Sequence, residues 1–150
     1  STQPEYLARL ETLVRDQQLA GAVRFHPAVP REALPAVYQQ HDVLLFPSVW
    51  DEPFGIVLLE AMASGLVVVG TGTGGSAEIM ADGVNSLVFP RGDARACAER
   101  VVRLRRDPGL YDRLRRQARR YVETERLLSH TIDAIESSLE RCAASARGAA

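Results

Sequence analysis

The chain has 150 residues, 46% of them hydrophobic, and a formal net charge of -1, which suits one folded domain and excludes a disordered or fibrous chain. This charge gives no reason to expect nucleic acid or an anionic membrane as the main partner, because both are bound largely through a cationic excess. The longest apolar runs are much shorter than the roughly 20 residues of a membrane helix, so no transmembrane segment is predicted.

The amino-terminal third predicts a helix, a strand and a second, short helix. Apolar residues recur at helical spacing from Pro4 to Leu19, which predicts the first helix. The alternating pattern of AVRFH predicts a short strand. A turn and a short helix entered at Pro35 follow, because proline is favoured in the first helical turn.

The middle of the chain predicts two strands that are covered on both faces, with a helix between them. DVLLFP is a continuous apolar run that ends at Pro47, and LVVVG is a second such run; both have the character of buried parallel strands. GIVLLEAMAS between them contains no proline and stops before Gly65, so it predicts a helix.

The segment VVVGTGTGGSAE contains three glycines at the G-x-G-x-x-G spacing of a dinucleotide-binding turn. That motif needs a crossover helix of about ten residues or more, whereas only about six residues of helical character follow. Asp93, which stands where a ribose-binding carboxylate is expected, is better explained as the N-cap of the next helix. We therefore expect a tight loop at the carboxyl edge of the sheet and no nicotinamide cofactor.

The carboxyl-terminal part predicts a last strand, SLVFP, and helices from Asp93 to Arg106 and from Pro108 to about Ala144. Strands that alternate with helices indicate an α/β fold, with a Rossmann-like, mostly parallel sheet and flanking helices. Residues 1–145 are predicted to form the domain and residues 146–150 a disordered tail.

The cysteines and arginines favour structural interpretations. Cys97 and Cys142 lie far apart without the spacing of metal ligands, so we expect inert thiols in a reducing compartment rather than a disulfide. This predicts a cytoplasmic protein, and a location at the cytoplasmic face of a membrane would satisfy the same prediction. The arginines from Arg100 to Arg120 are scattered around helices, which favours solvated faces.

The segment that carries the chemistry is FPSVWDEPFGIVLLEAMASG. It places Glu52 in a loop before a helix and Glu60 inside that helix, which is otherwise apolar from Ile56 to Ala63. A carboxylate in such surroundings is costly to desolvate unless it has partners. Either an arginine pairs with Glu60 or that side of the helix opens onto a polar cleft, and a plain surface glutamate is the remaining alternative.

The start of this helix is suited to a phosphate group. Near Gly55 and Ile56 the first N–H groups and the positive end of the helix dipole are available to an anion. Glu60 lies four residues beyond Ile56, about 6 Å along the axis. A diphosphate at the helix tip, ribose hydroxyls on Glu60 and further hydroxyls on Glu52 make a sugar nucleotide the fitting ligand.

The segments PSVWDEPFGIVLLEAMASG and VVVGTGTGGSAEIMADGVNSLVFPRGD resemble the donor-binding half of the large retaining glycosyltransferase family with the GT-B fold. Two glutamates separated by seven residues mark that family, here Glu52 and Glu60. The similarity runs from Ala22 to Asp93 and more loosely through the following helices. It implies transfer of a glycosyl group from a nucleotide-diphosphate sugar to an acceptor hydroxyl, with retention and without a metal or other cofactor; the acceptor is not predicted.

The resemblance implies a donor site made of two carboxylates, the backbone of the helix tip and a glycine pair: Glu52, Phe54, Gly55, Ile56, Val57, Glu60, Gly74 and Gly75. Glu52 would hold the donor sugar and is the implied catalytic residue. Glu60 would hold the ribose hydroxyls, and the N–H groups that begin the helix would face the diphosphate. Glu78 would brace the glycine loop.

The resemblance also places the turn from Pro27 to Val29 near the base. Several positions depart from the family pattern: FHP stands where a glycine is usual, Leu66 replaces a proline and Ser86 replaces a glycine. These departures bear on the base-side loop and local turns more than on the carboxylates.

The family's central strands and the Arg and Lys between them have no counterpart in this sequence, which also begins without Met or a leader segment. We therefore expect that this chain either self-associates through unpaired strand edges or belongs to a longer enzyme, and that it transfers no sugar by itself. A non-catalytic sugar-nucleotide-binding or protein-interaction module is the alternative.

Three histidines and one tryptophan carry no assigned role. His26, His41 and His130 show no catalytic constellation. Trp50 either packs within its loop, which we favour, or lines the donor cleft.

Overall fold

The computed structural model describes residues 4–148. The chain divides into two compact units, with the boundary between Arg31 and Glu32. The first unit contains one helix and an irregular segment, and the second contains the sheet and the remaining helices.

In the first unit, helix α1 spans Pro4–Asp16, three residues less than predicted. Gln18 has a φ of 57°, and a left-handed residue ends a helix. Residues 23–30 have no regular secondary structure, so the predicted AVRFH strand is wrong for the described residues. An alternating pattern cannot make a strand unless another strand supplies hydrogen-bond partners, and this segment is not a member of the sheet.

The second unit alternates strands and helices as predicted. Its elements are α2 (Leu34–Tyr38), β1 (Val43–Phe46), α3 (Ile56–Ala63), β2 (Val67–Gly70), β3 (Ser86–Val88), α4 (Ala94–Arg106), α5 (Pro108–Glu125) and α6 (Leu128–Gly148). Two short 3-10 helices precede α2 and follow β2, at Arg31–Ala33 and Gly75–Glu78.

The sheet is parallel and ordered β1-β2-β3, which confirms the α/β fold class. Val43 pairs with Val67 and Val69 pairs with Leu87. All four residues of the central strand β2 are buried, because helices cover both of its faces. The prediction of burial on both faces is wrong for β1, an edge strand of the sheet in which no residue is fully buried and Leu45 is 51% exposed. Because the strands are parallel, their carboxyl ends meet at one edge of the sheet.

The core consists of two hydrophobic clusters, one on each face of the sheet. Val68 faces a cluster built around Leu58 and Met62 of α3, whereas Val67 and Val69 face the cluster of α4 and α5. Successive side chains of a strand point to opposite faces, so the three valines of β2 anchor both layers. This packing fixes α3, which carries one of the candidate carboxylates.

Helices α4 and α5 begin at aspartate caps. The side chain of Asp93 accepts a hydrogen bond from the Ala96 N–H at 2.8 Å, and that of Asp107 accepts one from the Leu110 N–H at 2.9 Å. The predicted cap at Asp93 is thus confirmed. Helix α6 extends to Gly148, past the start of the predicted tail at residue 146, and residues 149–150 lie outside the described residues.

Removal of the Asp93 cap should destabilise the chain. We expect Asp93→Ala to lower the free energy of unfolding by about 1 kcal/mol, because the Ala96 N–H loses its acceptor. Urea unfolding measures this change. Asp93→Asn keeps an acceptor oxygen and should stay close to the wild type, whereas equal stability of the alanine variant would contradict the capping role.

Candidate ligand-binding site

The candidate site lies at the carboxyl edge of the sheet, where the loops after β1 and β2 meet. The Thr71 hydroxyl donates to the Ser48 carbonyl and the Thr73 hydroxyl donates to the Trp50 carbonyl, both at 2.8 Å. These bonds fasten the second loop along the first. The loop that bears Glu52 is therefore held through its backbone carbonyl groups, which accept these hydrogen bonds from the second loop.

The Gly74–Gly75 pair makes the closest contact between the two loops. Gly74 forms a parallel bridge with Glu52, and the Gly75 N–H donates to the Glu52 carbonyl at 2.6 Å. A Cβ atom on Gly75 would lie 2.1 Å from the Pro53 carbonyl oxygen, a distance that no side chain tolerates. The predicted tight glycine loop thus lies at the carboxyl edge of the sheet, directly against the Glu52 segment.

Gly55 joins this loop to α3 in a left-handed conformation, with φ of 84° and ψ of 54°. A Cβ on Gly55 would lie 3.5 Å from Cγ of Glu52, so the half-buried Glu52 side chain passes close to the helix tip. No side chain caps the first turn, and Ile56 is 57% exposed. The tip of α3 therefore offers backbone N–H groups and a positive dipole end beside a carboxylate.

Glu60 is half-buried on α3, and the structure gives it a partner that the sequence did not predict. The Tyr38 hydroxyl of α2 donates to Oε2 of Glu60 at 3.2 Å. Burial, the charge of Glu60 and this hydrogen bond together raise the pKa of Tyr38. In the sequence, the sign of this contact is a tyrosine at the end of the short helix before β1. A tyrosine at that position is equally compatible with packing in the core.

Trp50 is 58% exposed, so the prediction that it packs within its loop is wrong. Hydroxyl groups of Thr73 and Ser48 donate to its backbone carbonyl, and these bonds fix the loop without the indole. The guanidinium of Arg91 pairs with the carboxylate of Asp51 next to it. The indole is thus presented to solvent on the loop that also carries Glu52.

The structure brings Glu52, the tip of α3 and the Gly74–Gly75 pair together, with Glu60 further along α3, but it does not do so for all the predicted residues. Pro27 and Val29 belong to the first unit, so their assignment to the base stays a prediction. The backbone carbonyl of Glu78 accepts hydrogen bonds from Tyr121 at 3.2 Å and Arg126 at 3.1 Å. Through this carbonyl, the end of the glycine loop is tied to the end of α5.

Three further features concern metals, membranes and thiols. Within residues 4–148, no group of three His, Cys, Asp or Glu side chains is arranged to hold a metal ion. No helix in this part of the chain combines the length and apolar character needed to cross a membrane. Cys97 and Cys142 are free, and burial raises the pKa of the Cys97 thiol.

Residues 3–121 match the family described as "Glycosyl transferases group 1". Relatives include the D-inositol 3-phosphate glycosyltransferases of Corynebacterium urealyticum, 39% identical over 98 residues, and Acidothermus cellulolyticus, 38% identical over 118 residues. These alignments cover 65% and 79% of this chain but only 23% and 25% of the relatives. The chain thus spans about a quarter of the length of the curated relatives it matches.

Solved glycosyltransferase structures share the fold. Sucrose-phosphate synthase of Thermosynechococcus elongatus superposes with a TM-score of 0.82 at 28% identity, over 92% of this chain and 34% of that one. Anabaena HepE in complex with UDP-glucose gives a TM-score of 0.85 at 22% identity, over 93% of this chain and 38% of that one. The second likeness is evidence of the fold alone.

A side chain on Gly75 should disrupt the contact between the loops. We expect Gly75→Ala to lower the free energy of unfolding by about 1–3 kcal/mol, as overpacking does, because the new Cβ meets the Pro53 carbonyl. Urea unfolding tests this against Gly21→Ala, whose Cβ would meet nothing within 4 Å. Equal stability of the two variants would contradict the close backbone contact.

Proposed function

Because the chain belongs to the group 1 glycosyltransferases, with their GT-B fold, we propose that it is the donor-binding part of a retaining hexosyl-type enzyme. The reaction is transfer of a glycosyl group from a nucleotide-diphosphate sugar to an acceptor hydroxyl. The observation that carries the proposal is the contact of the Glu52 loop, the glycine pair and the tip of α3 at one sheet edge. Residues 1–145 form this part in the proposal, and the free thiols support a cytoplasmic location.

The tip of α3 binds the diphosphate in this proposal. Backbone N–H groups at Ile56 and Val57 point along the helix axis towards an anion placed before the first turn. Gly55 has no side chain to obstruct that anion, and the backbone of Phe54 and Gly55 continues the surface towards Glu52. Anabaena HepE, which shares this fold, was solved in complex with UDP-glucose, and we take a sugar nucleotide as the ligand class of this chain as well.

Glu60 binds the ribose in the same proposal. It lies four residues beyond Ile56, about 6 Å along the helix axis, which matches the distance from a diphosphate to the hydroxyls of its own nucleoside. A carboxylate accepts from two vicinal hydroxyls, and the hydrogen bond from Tyr38 orients it. Tyr38 is therefore a positioning residue for donor binding.

Catalysis needs more than these groups. A helix terminus contributes about 0.3–1 kcal/mol to an anion, and up to about 2 kcal/mol in partly buried sites, whereas enzymes lower barriers by about 8 kcal/mol or more. The curated relatives are about four times longer than the matched segment. We infer that cationic groups and an acceptor surface outside this chain complete the site, and that this chain alone transfers no sugar.

Loss of the Glu60 charge should weaken nucleotide binding. Trp50 is the only tryptophan of the sequence and lies exposed on the Glu52 loop, so its fluorescence reports a titration with UDP or GDP. We expect Glu60→Gln to raise the dissociation constant about ten-fold or more, because hydrogen bonds to charged groups contribute about 1.5–3 kcal/mol. Glu125→Gln removes the same charge from the exposed end of α5 and should change nothing; equal constants in the two variants would remove Glu60 from the site.

Glu52 should act on turnover more than on nucleotide binding. It is placed to hold the transferred sugar, whose charge and position change in the transition state. In the complete enzyme, Glu52→Gln should lower kcat by at least about ten-fold while the affinity for free nucleoside diphosphate stays the same. If Glu52→Gln weakens diphosphate binding as much as Glu60→Gln does, the two assignments are reversed. A complete enzyme that binds the donor but transfers nothing would instead support a non-catalytic binding module.

A further inference from the structure

Charge is segregated along this chain despite its net value near zero. Residues 4–90 contain four arginines against ten carboxylates, a balance of -6, whereas residues 91–126 contain twelve arginines against six carboxylates, a balance of +6. The second segment is α4, α5 and the residues that flank them. A positive field is therefore concentrated on two adjacent helices, where it attracts anions.

Part of this charge lines a cleft at the amino edge of the sheet. Two adjoining cavities, of about 340 and 360 Å³, share Asp42 and Tyr111 among their lining residues. Arg115, Arg116 and Arg119 of α5 line the first cavity. Asp42 precedes β1, so the cleft lies at the edge of the sheet opposite to the donor site.

The cations of the cleft outnumber its anions. Arg105 of α4 lines the second cavity. Among the salt bridges of the described residues, Arg119 pairs with Glu123 at 2.8 Å, and none involves Arg105, Arg115 or Arg116. Asp42 is the only carboxylate among the described lining residues.

The carboxylate of Asp42 interacts with Tyr111, which also lines both cavities. Burial, and then the charge and hydrogen bond of Asp42, raise the pKa of Tyr111, whereas the charge of Arg115 acts to lower it. The carboxylate therefore interacts with a phenolic hydroxyl and keeps its single negative charge, which is fewer than the positive charges of Arg105, Arg115 and Arg116. The cleft therefore retains a positive balance on solvent-exposed arginines, and an anionic ligand would complement that balance.

The donor groups suit phosphate oxygens. Guanidinium groups present several N–H donors in a fixed plane and bind phosphate in bidentate fashion. Ser64, at the end of α3, and Gln39 also line the cavity and offer a hydroxyl and an amide. We propose that this cleft is a second ligand site, which binds a phosphate group carried by a soluble organic phosphate or by a lipid headgroup.

The test compares two double variants of this chain that remove the same charge. Arg115→Gln with Arg116→Gln changes the cleft, whereas Arg103→Gln with Arg106→Gln changes the outer groove of α4. Calorimetric titration with inorganic pyrophosphate should show about a ten-fold or greater rise in the dissociation constant for the first variant. The second variant should stay within about two-fold, and matching thermal melts exclude unfolding.

Two further arms separate the sources of the phosphate group. Sedimentation with phosphatidylglycerol–phosphatidylcholine vesicles, but not with pure phosphatidylcholine, identifies a lipid headgroup, provided that pyrophosphate competes. Pyrophosphate binding without sedimentation identifies a soluble phosphate. Equal losses in both variants, or no binding of either probe, would overturn the proposal. The cleft is independent of the donor site, so the proposed function does not depend on this result.

Discussion

Two peptide backbones touch where the loops after β1 and β2 meet, and the geometry of the candidate site depends on that contact. Gly74 pairs with Glu52, and the Gly75 N–H donates to the Glu52 carbonyl. Because β1 and β2 are neighbouring parallel strands, their loops leave the sheet at the same edge. The glycine pair lets these loops approach until only backbone fits between them. The segment that leads into α3 is thereby fixed, and with it the distance from Glu52 to Glu60.

The two edges of the sheet differ in the chemistry they offer. At the carboxyl edge, carboxylates and a helix tip combine acceptors for hydroxyl groups with donors for a diphosphate. At the amino edge, arginines of α5 line a cleft together with Asp42, whose carboxylate interacts with Tyr111. Helix α5 also reaches the carboxyl side, since Tyr121 donates to the Glu78 carbonyl. One helix thus contacts both regions, and the core cluster around Leu114 holds it against the sheet.

Much of the fold could be predicted because it depends on local signals. Continuous apolar runs predicted β1 and β2, and the aspartate before α4 acts through a hydrogen bond three residues away. The predicted burial on both faces holds for β2 alone, because Leu45 of β1 is 51% exposed. The failures concern long-range partners. AVRFH has the pattern of a strand but no pairing partner in the sheet, and the sequence does not encode such a partner locally. Tyr38 meets Glu60 across 22 positions, a pairing that no spacing rule contains.

Trp50 shows a different limit of sequence-based prediction. An aromatic residue in a loop is usually assigned to packing, because its burial stabilises irregular backbone. Here the hydroxyl groups of Thr71 and Thr73 already fasten the loop. The loop is thus fastened while Trp50 stays 58% exposed, and only the three-dimensional arrangement of these hydroxyl groups shows this.

The tip of α3 presents peptide groups rather than side chains, and this has a consequence for how such a site changes over time. Every residue except proline carries the same N–H group, so positions such as Ile56 can exchange side chains while the surface offered to a phosphate stays the same. The glycine pair has no such freedom, because its hydrogen atoms occupy the space that a methyl group would need. Tolerance to substitution therefore does not measure functional importance in this site. The backbone of a position with a variable side chain can bind the ligand directly, whereas the glycine pair is restricted by the contact between the two loops.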